Sequence, residues 1–530
     1  MRAAGHSTPG YWMKKSSRTD SSAKGKELPT RATPIGRNFF TPDDIHDIDF
    51  LRDISFPGEF PYTRGISPSM YRNGEWRIAQ SVDSPDLNAA SSLIREIANS
   101  DEPAAALSFS LHTELGISGL PGTRAVRTAS GLPLSSVRDI DRLFSGIRRE
   151  TLFTGFNVCS SAAQLVSMYM ASCEQAKTDI RGIQGYVENN VFSPFSLSMK
   201  NPLGFPLATD ISFSLITYSL NRLPYFSPFN PGGYHIREIG GTPEQEIAFT
   251  VASALYYIRE AEKREIDPAQ ILSRMSFILG VGTDIPVEVA KFRAARRIWS
   301  RVLRNSFSGL DDSALRLSIF SRALRFPLVN DEMEINMVRS TMQLVAAVLG
   351  GVQSIEVRGG VHPSLRDQRV ARTLLMIHRI VGNESGIADT IDPVAGSYYI
   401  ESRTDEIERS VNSLLGRIEE HGGIDKAIKS GMIQSEVKKS REKLLHEMKE
   451  GRRLLVGYNI LRDGRRKIDI LREPVSPSFR LMDRSGVASE KCLSDIASSE
   501  PSSGAAMDAL IKAFRHGHSI GEVTSAICLM

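Results

Sequence analysis

RMSFILG (274–280), PVEVAKFRAARRIWSRVL (286–303) and LRLSIF (315–320) follow one another with short polar joins. The first and third runs are short and rich in strand formers. The middle run is long, opens on a proline, and sets Val289, Phe292, Ala295 and Trp299 at helical spacing on one face. A strand, a helix and a second strand in this order make a crossover unit, and the strands such a unit joins are parallel. Outward from it the pattern repeats. Ala105–Leu111, Leu152–Cys159 and Val352–Val357 read as further strands. Thr242-Pro243-Glu244-Gln245 supplies an N-cap, a first-turn proline and a capping-box glutamine for a helix running to about Arg264. Another helix runs from about Asp405 to Glu420 and stops at Gly422-Gly423. Alternation sustained from about residue 100 to 460 favours an α/β chain with a (β/α)8 TIM barrel, the alternative being an open doubly wound sheet.

Charge is unevenly placed along the 530 residues, which carry 65 Lys+Arg against 61 Asp+Glu. Residues 1–40 hold eight basic and two acidic side chains, a local +6, so the remaining 490 carry about −2. A nucleic-acid-binding body would carry its basic excess on the folded part, so that class is excluded. The leader is rich in Ser, Gly, Thr and Pro and reads as a flexible arm, with a transit peptide as the alternative. The organisation expected is a basic arm over 1–40, a barrel over 41–460, and a linker with a wrapping helical segment over 461–530, where a last helix covers about Ala505–Arg515. No apolar run is long enough to span a membrane. Cys159, Cys173, Cys492 and Cys528 are scattered, which fits a reducing, cytoplasmic setting and gives no metal-ligand spacing.

The strands have small polar residues where a barrel core usually has Val, Ile or Leu: Ser108 and Ser110, Ser276, Ser318. Either these serines bond locally, or the barrel axis holds a polar, extended ligand. Generic signatures are absent, with no Walker A loop, GxGxxG, HExxH or GxSxG.

Longer strings are present instead: Phe60-Pro61-Tyr62-Thr63-Arg64-Gly65 with Pro68-Ser69-Met70-Tyr71 and Trp76, then Gly233-Tyr234-His235-Ile236-Arg237-Glu238. Val289 to Arg296 (VAKFRAAR), Ala347 to Ser354 (AVLGGVQS), Glu384 to Asp389 (ESGIAD), Ile391-Asp392-Pro393, Gly396-Ser397-Tyr398-Tyr399 and Val456-Gly457-Tyr458-Asn459 follow in order. In order and spacing the chain resembles the methylmalonyl-CoA mutase family over roughly residues 40–460.

The resemblance implies a barrel with an acyl-CoA threaded along its axis and adenosylcobalamin held over its mouth by a flavodoxin-like domain. No DxHxxG follows the barrel strings, so a separate cobalamin-binding small subunit is the expected partner, with a homodimer or a heterodimer with a mutase paralogue around it. Within the resemblance, His235 matches the histidine that hydrogen-bonds the thioester carbonyl, and Gln184 a substrate-side glutamine. Arg274 and Ser276 match CoA phosphate and polar contacts, and Ser354 also falls on the substrate side. Arg64, Met70 and Tyr71 belong to the CoA-side segment.

Other positions depart from the family pattern. A tyrosine linked to adenosyl displacement is Ser81, and a substrate-side tyrosine is Ser67. No arginine lies between Arg181 and Arg222 to pair with a methylmalonyl carboxylate, which disfavours that substrate. The family's RxHxQT strand becomes Ser318 to Ala323, with Phe320 and Arg322 where a histidine and a glutamine face the corrin. Glu356, Arg358 and His362 replace further cofactor-side groups. Two functions follow: an adenosylcobalamin-dependent mutase subunit acting on another short branched acyl-CoA, or a catalytically silent subunit that dimerises with an active mutase chain and stabilises it.

Overall fold

The computed structural model describes residues 39–117, 131–193, 202–329, 333–356, 358, 368–461 and 490–530. The basic arm up to residue 38, His362 and the basic stretch from Arg462 through Pro477 lie outside the described residues. Among the described residues there are nine strands, and every paired neighbour is parallel. They are β1 Arg77–Ile78, β2 Gln80–Val82, β3 Ala104–Ser108, β4 Phe153–Asn157, β5 Gln184–Val187, β6 Tyr225–Ser227, β7 Ser276–Val281, β8 Ser318–Ala323 and β9 Ser354–Glu356. Their hydrogen bonds make two sheets, β1-β9-β8-β7 and β2-β3-β4-β5-β6, and not one continuous ring.

The sheets meet at two places. Only Ala79 separates β1 from β2, and its N–H donates to the Ile355 carbonyl at 2.9 Å. On the far side Gly232 bridges Ile278, the Ile278 N–H donating to Pro231 O and the Gly233 N–H to Ile278 O, both at 3.0 Å. The pattern-rich strands β3, β4, β7, β8 and β9 form where the sequence places them. The two- to four-residue strands β1, β2, β5 and β6 lie outside the runs marked in the sequence, whereas the three-residue β9 lies within the run Val352–Val357.

Thr242 caps the helix Pro243–Lys263 in the expected capping box, its Oγ1 accepting from Gln245 N–H at 3.2 Å while Gln245 Oε1 accepts from Thr242 N–H at 3.0 Å. The helix Tyr398–Glu420 starts earlier than Asp405 because Ser397 caps it. The helix Gly504–Arg515 covers Ala162–Gln175 and Phe205–Arg222, and its Met507, Leu510 and Phe514 belong to the main apolar core.

The helix Ile285–Ser306 buries the stripe Val289, Phe292, Ala295 and Trp299, and on its other sides it also buries Lys291, Arg293, Arg296 and Arg297. Buried cations must be paired. Lys291 Nζ lies 3.0 Å from Glu246 Oε2 and 2.6 Å from Glu288 Oε2, and Arg237 Nη2 reaches Glu288 Oε1 at 2.8 Å. Arg293 pairs with Asp392 and Glu401, and Arg297 Nη2 with Glu408 Oε2 at 2.6 Å. Arg296 has no carboxylate and donates instead to four carbonyls: Tyr62 O at 3.0 Å, Thr63 O at 3.0 Å, Gly350 O at 2.8 Å and Gly351 O at 3.2 Å. A Cβ on Gly350 would stand 2.5 Å from the Phe292 ring, so glycine is what lets this turn reach the helix.

Arg296→Met should cost about 3–5 kcal/mol in urea unfolding, because the four carbonyls lose their only shared donor. A second expectation concerns pH. Trp76 Nε1 donates to His378 Nδ1 at 2.9 Å. Burial, with the nearby charge of Arg379, pushes His378 down to about 3. Its folded value is thus below its unfolded one, so its contribution is complete above about pH 6.5 and declines as pH falls, by up to about 1.4 kcal/mol per unit. His378→Gln should flatten the stability difference between pH 7 and pH 5.

Candidate functional site

At the amino ends of the strands a cavity of about 520 Å³ opens between Arg77, Phe153, Tyr225, Arg274, Ser318 and Ser354. Ser276 Oγ donates to Ser318 Oγ at 3.0 Å across β7 and β8. Arg274 is anchored from behind, Nη1 donating to Leu223 O at 3.1 Å, and Arg77 lies over the Phe153 ring at 4.0 Å. Small hydroxyls, two guanidinium groups and an aromatic rim suit a polar, phosphate-bearing chain.

Inward, the cavity ends on aromatic rings. Tyr186, Tyr234 and Phe320 are each 5–6 % exposed and pack with Ala79, Ala106, Ile278 and Leu324. Tyr186 and Phe320 have ring centroids 5.1 Å apart. Gly155 makes the Tyr186 position possible, since a Cβ there would fall 2.2 Å from the ring. Tyr186 Oη donates to Asn157 Oδ1 at 2.7 Å, which fixes the ring against β4.

Beyond the rings, at the carboxyl ends, runs a line of buried ions. Glu188 Oε1 meets Arg322 Nη1 at 2.7 Å, and Arg322 Nε lies 3.0 Å from Glu356 Oε2. Glu356 Oε1 meets Arg358 Nη2 at 2.6 Å. Arg358 and Arg325 each approach Asp83 Oδ2 to 3.3 Å. Arg322 also sits over the Tyr234 ring at 4.3 Å. Burial alone would raise both glutamates. The His235 hydrogen bond and Arg322 outweigh it at Glu188, and Arg358 and Arg322 at Glu356, so both stay below the usual carboxylate range.

Next to Glu188 lie His235 and Cys159. His235 Nε2 is 3.3 Å from Glu188 Oε2, and Cys159 Sγ donates to the same oxygen at 3.3 Å. Burial, then the charges of Glu188 and Glu114, pushes the Cys159 thiol well up. Glu114 accepts the Cys159 and Ser160 N–H groups at 3.0 and 3.2 Å, yet burial still raises it to about 7.

Of the residues singled out in the sequence, Arg274, Ser276 and Ser354 come together at the mouth. Arg64, Met70 and Tyr71 line a separate cavity of about 20 Å³, room for about one water, where Tyr71 Oη donates to Val352 O at 2.5 Å. Gln184 opens β5 at an exposed cleft beside Arg77 and Glu102, whereas His235 lies past the other end of that strand beside Glu188, so the two are not brought together. Ser110 bonds locally, as an N-cap to Thr113 N–H, and Ser108 accepts from Asn157. Glu188, Tyr186, Cys159 and Glu114 were not singled out. Glu188 stands directly after the apolar end of β5, Tyr186-Val187, and a charge in such a place is the signal that marks it.

The Methylmalonyl-CoA mutase family model matches residues 32–529, and the chain belongs to that family. Among named relatives it is similar to the 2-hydroxyisobutanoyl-CoA mutase large subunit of Aquincola tertiaricarbonis, 29% identical over 80% of this chain and 76% of the relative. It is also similar to the probable mitochondrial methylmalonyl-CoA mutase of Caenorhabditis elegans, 27% identical over 95% of this chain and 70% of that protein. Similarity to the methylmalonyl-CoA mutase of Escherichia coli K12 is 26% over 79% of this chain and 59% of that enzyme.

The family uses adenosylcobalamin. The described carboxyl-end residues do not fit it: Arg322 and Arg358 are committed to carboxylates and only 3–4 % exposed, and Phe320, deeper along β8, donates nothing. Arg322→Met should cost about 3–5 kcal/mol at pH 7, because it takes one of two partners from each of two buried carboxylates, leaving Glu188 with His235 and Glu356 with Arg358. The deficit should narrow toward pH 4 in urea titrations, because the wild type then loses the advantage of its two depressed glutamates.

Proposed function

We propose that this chain is a subunit of an adenosylcobalamin-dependent acyl-CoA mutase that does no radical chemistry on its own axis, and that it dimerises with and stabilises an active mutase chain carrying the cofactor. The carrying observation is the barrier of Tyr186, Tyr234 and Phe320, backed by the Glu188–Arg322–Glu356–Arg358 line, where an acyl group would have to reach the cofactor. We read the two sheets as halves of one eight-strand TIM barrel, with β1 and β2 as a single strand hinged at Ala79 and the Gly232–Ile278 bridge joining the other side. On this reading the amino-end cavity takes the nucleotide and pantetheine part of CoA, which Arg274, Ser276 and Ser354 would hold. The match to a large subunit supports assembly with a separate cobalamin-binding chain.

A second reading keeps catalysis, on an acyl-CoA other than methylmalonyl-CoA. It is favoured by His235, whose side chain is 32% exposed at the carboxyl end.

Reconstitution separates the two. The chain alone, given adenosylcobalamin, a cobalamin-binding subunit and a panel of short branched acyl-CoAs, should show neither turnover nor a cob(II)alamin radical signal in electron paramagnetic resonance. It should still co-elute with an active mutase chain and raise its melting temperature. Turnover lost in His235→Ala would establish the second reading. In calorimetry CoA should bind with 1:1 stoichiometry, and Arg274→Ala should weaken it about tenfold, or about 1.4 kcal/mol.

A further inference from the structure

We propose that Cys159, Glu188 and His235 form a binding site for a divalent cation of the zinc class, just past the carboxyl ends of β4 and β5. The site rests on the silent-subunit reading above, since the active reading gives the His235 imidazole to the thioester; metal binding and turnover are measured separately.

The three donor atoms are Cys159 Sγ, Glu188 Oε2 and His235 Nε2, and all lie within 4.8 Å of one another. Two of the separations are 3.3 Å. An ion with bonds of about 2.0–2.3 Å and tetrahedral angles holds its ligand atoms about 3.3–3.8 Å apart. Two of the three separations therefore match an edge of a zinc tetrahedron, and the third is within 4.8 Å. A thiolate, an imidazole and a carboxylate together suit zinc better than the hard, all-oxygen ions.

The frame around the donors is rigid. The Glu188 N–H donates to Phe156 O at 3.1 Å and the Asn189 N–H to Val158 O at 3.1 Å, which stitches the segment bearing Glu188 to the one bearing Cys159. Asn230 N–H holds the Glu188 carbonyl at 2.9 Å. The second carboxylate oxygen of Glu188 is fixed by Arg322 at 2.7 Å, leaving Oε2 aimed at the thiol and the imidazole. Supporting contacts of this kind orient metal ligands.

Charge points the same way. Asp83, Glu188 and Glu356 are balanced by Arg322, Arg325 and Arg358. Glu114 is a fourth carboxyl beside Cys159, and among the described residues no Lys or Arg lies within ion-pair distance of it. A dication held by Cys159 would lie beside this carboxyl. Three protein ligands leave a fourth position for water or a substrate oxygen, the arrangement of an open zinc site, and the partly exposed His235 marks the side from which it is reached.

The test uses the full chain, stripped of metal and titrated with Zn²⁺ or Co²⁺. One equivalent should bind, and Co²⁺ should give the intense visible bands of a tetrahedral site with a near-ultraviolet thiolate charge-transfer band. Cys159→Ser should abolish the charge-transfer band, and His235→Ala should weaken binding at least tenfold, with circular dichroism confirming that both variants fold. Cys528→Ser should change nothing. Failure to bind one equivalent would overturn the site, as would a charge-transfer band that survives in Cys159→Ser or disappears in Cys528→Ser.

Discussion

Four cations on the helix Ile285–Ser306 have lost their water, and the rest of the fold is arranged to keep them charged. Lys291 needs Glu246 and Glu288, which draws in the helix Pro243–Lys263 and, through Arg237, the short helix Tyr234–Glu238. Arg293 needs Asp392 and Glu401, which fixes the entry to the helix Tyr398–Glu420. Arg296 gathers carbonyls from residues 62–63 and 350–351, and Arg297 draws in Glu408. Each charge thus specifies a neighbour as well as a contact. Its loss costs more than its formation contributes, because the partners stay buried.

The same helix explains much of what could be read from the chain. The strings FPYTRG, GYHIRE, VAKFRAAR, AVLGGVQS and IDP are far apart in sequence and meet around these cations, so a resemblance carried by all of them reported one packed unit. The helical periodicity was legible in Val289, Phe292, Ala295 and Trp299. The burial of the charged faces was not, because an apolar stripe at helical spacing ordinarily implies a wet opposite side. Likewise β3, β4, β7, β8 and the short β9, which lies within a longer apolar run, could be found, while β1, β2, β5 and β6 are held by their neighbours' hydrogen bonds and carry no period of their own.

For the candidate site, legibility divides between the two ends of the strands. Ser276, Ser318, Ser354 and Arg274 line the amino-end cavity, and Ser276 and Ser318 also bond each other. At the other end the sequence showed Phe320, Arg322 and Arg358 only as departures from a family pattern. It could not show that they compensate one another, because the pairing joins Glu188, just past β5 in one sheet, to Arg322 on β8 and Glu356 on β9 in the other. A departure at one position reads as damage; several that satisfy each other's charge read as a different, stable solution. Tyr186 over Gly155 is of the same kind, a large ring admitted by a missing side chain on the adjacent strand.

The covering of Ala162–Gln175 by Gly504–Arg515 has a consequence for how the protein is made. Every residue from Ala162 to Cys173 is buried, and Met507, Leu510 and Phe514 complete the apolar cluster around them. During translation that helix emerges long before its cover exists. Contacts of such wide separation form late and slowly. Until then its apolar side chains lack the cover that residues 504–515 supply in the folded chain.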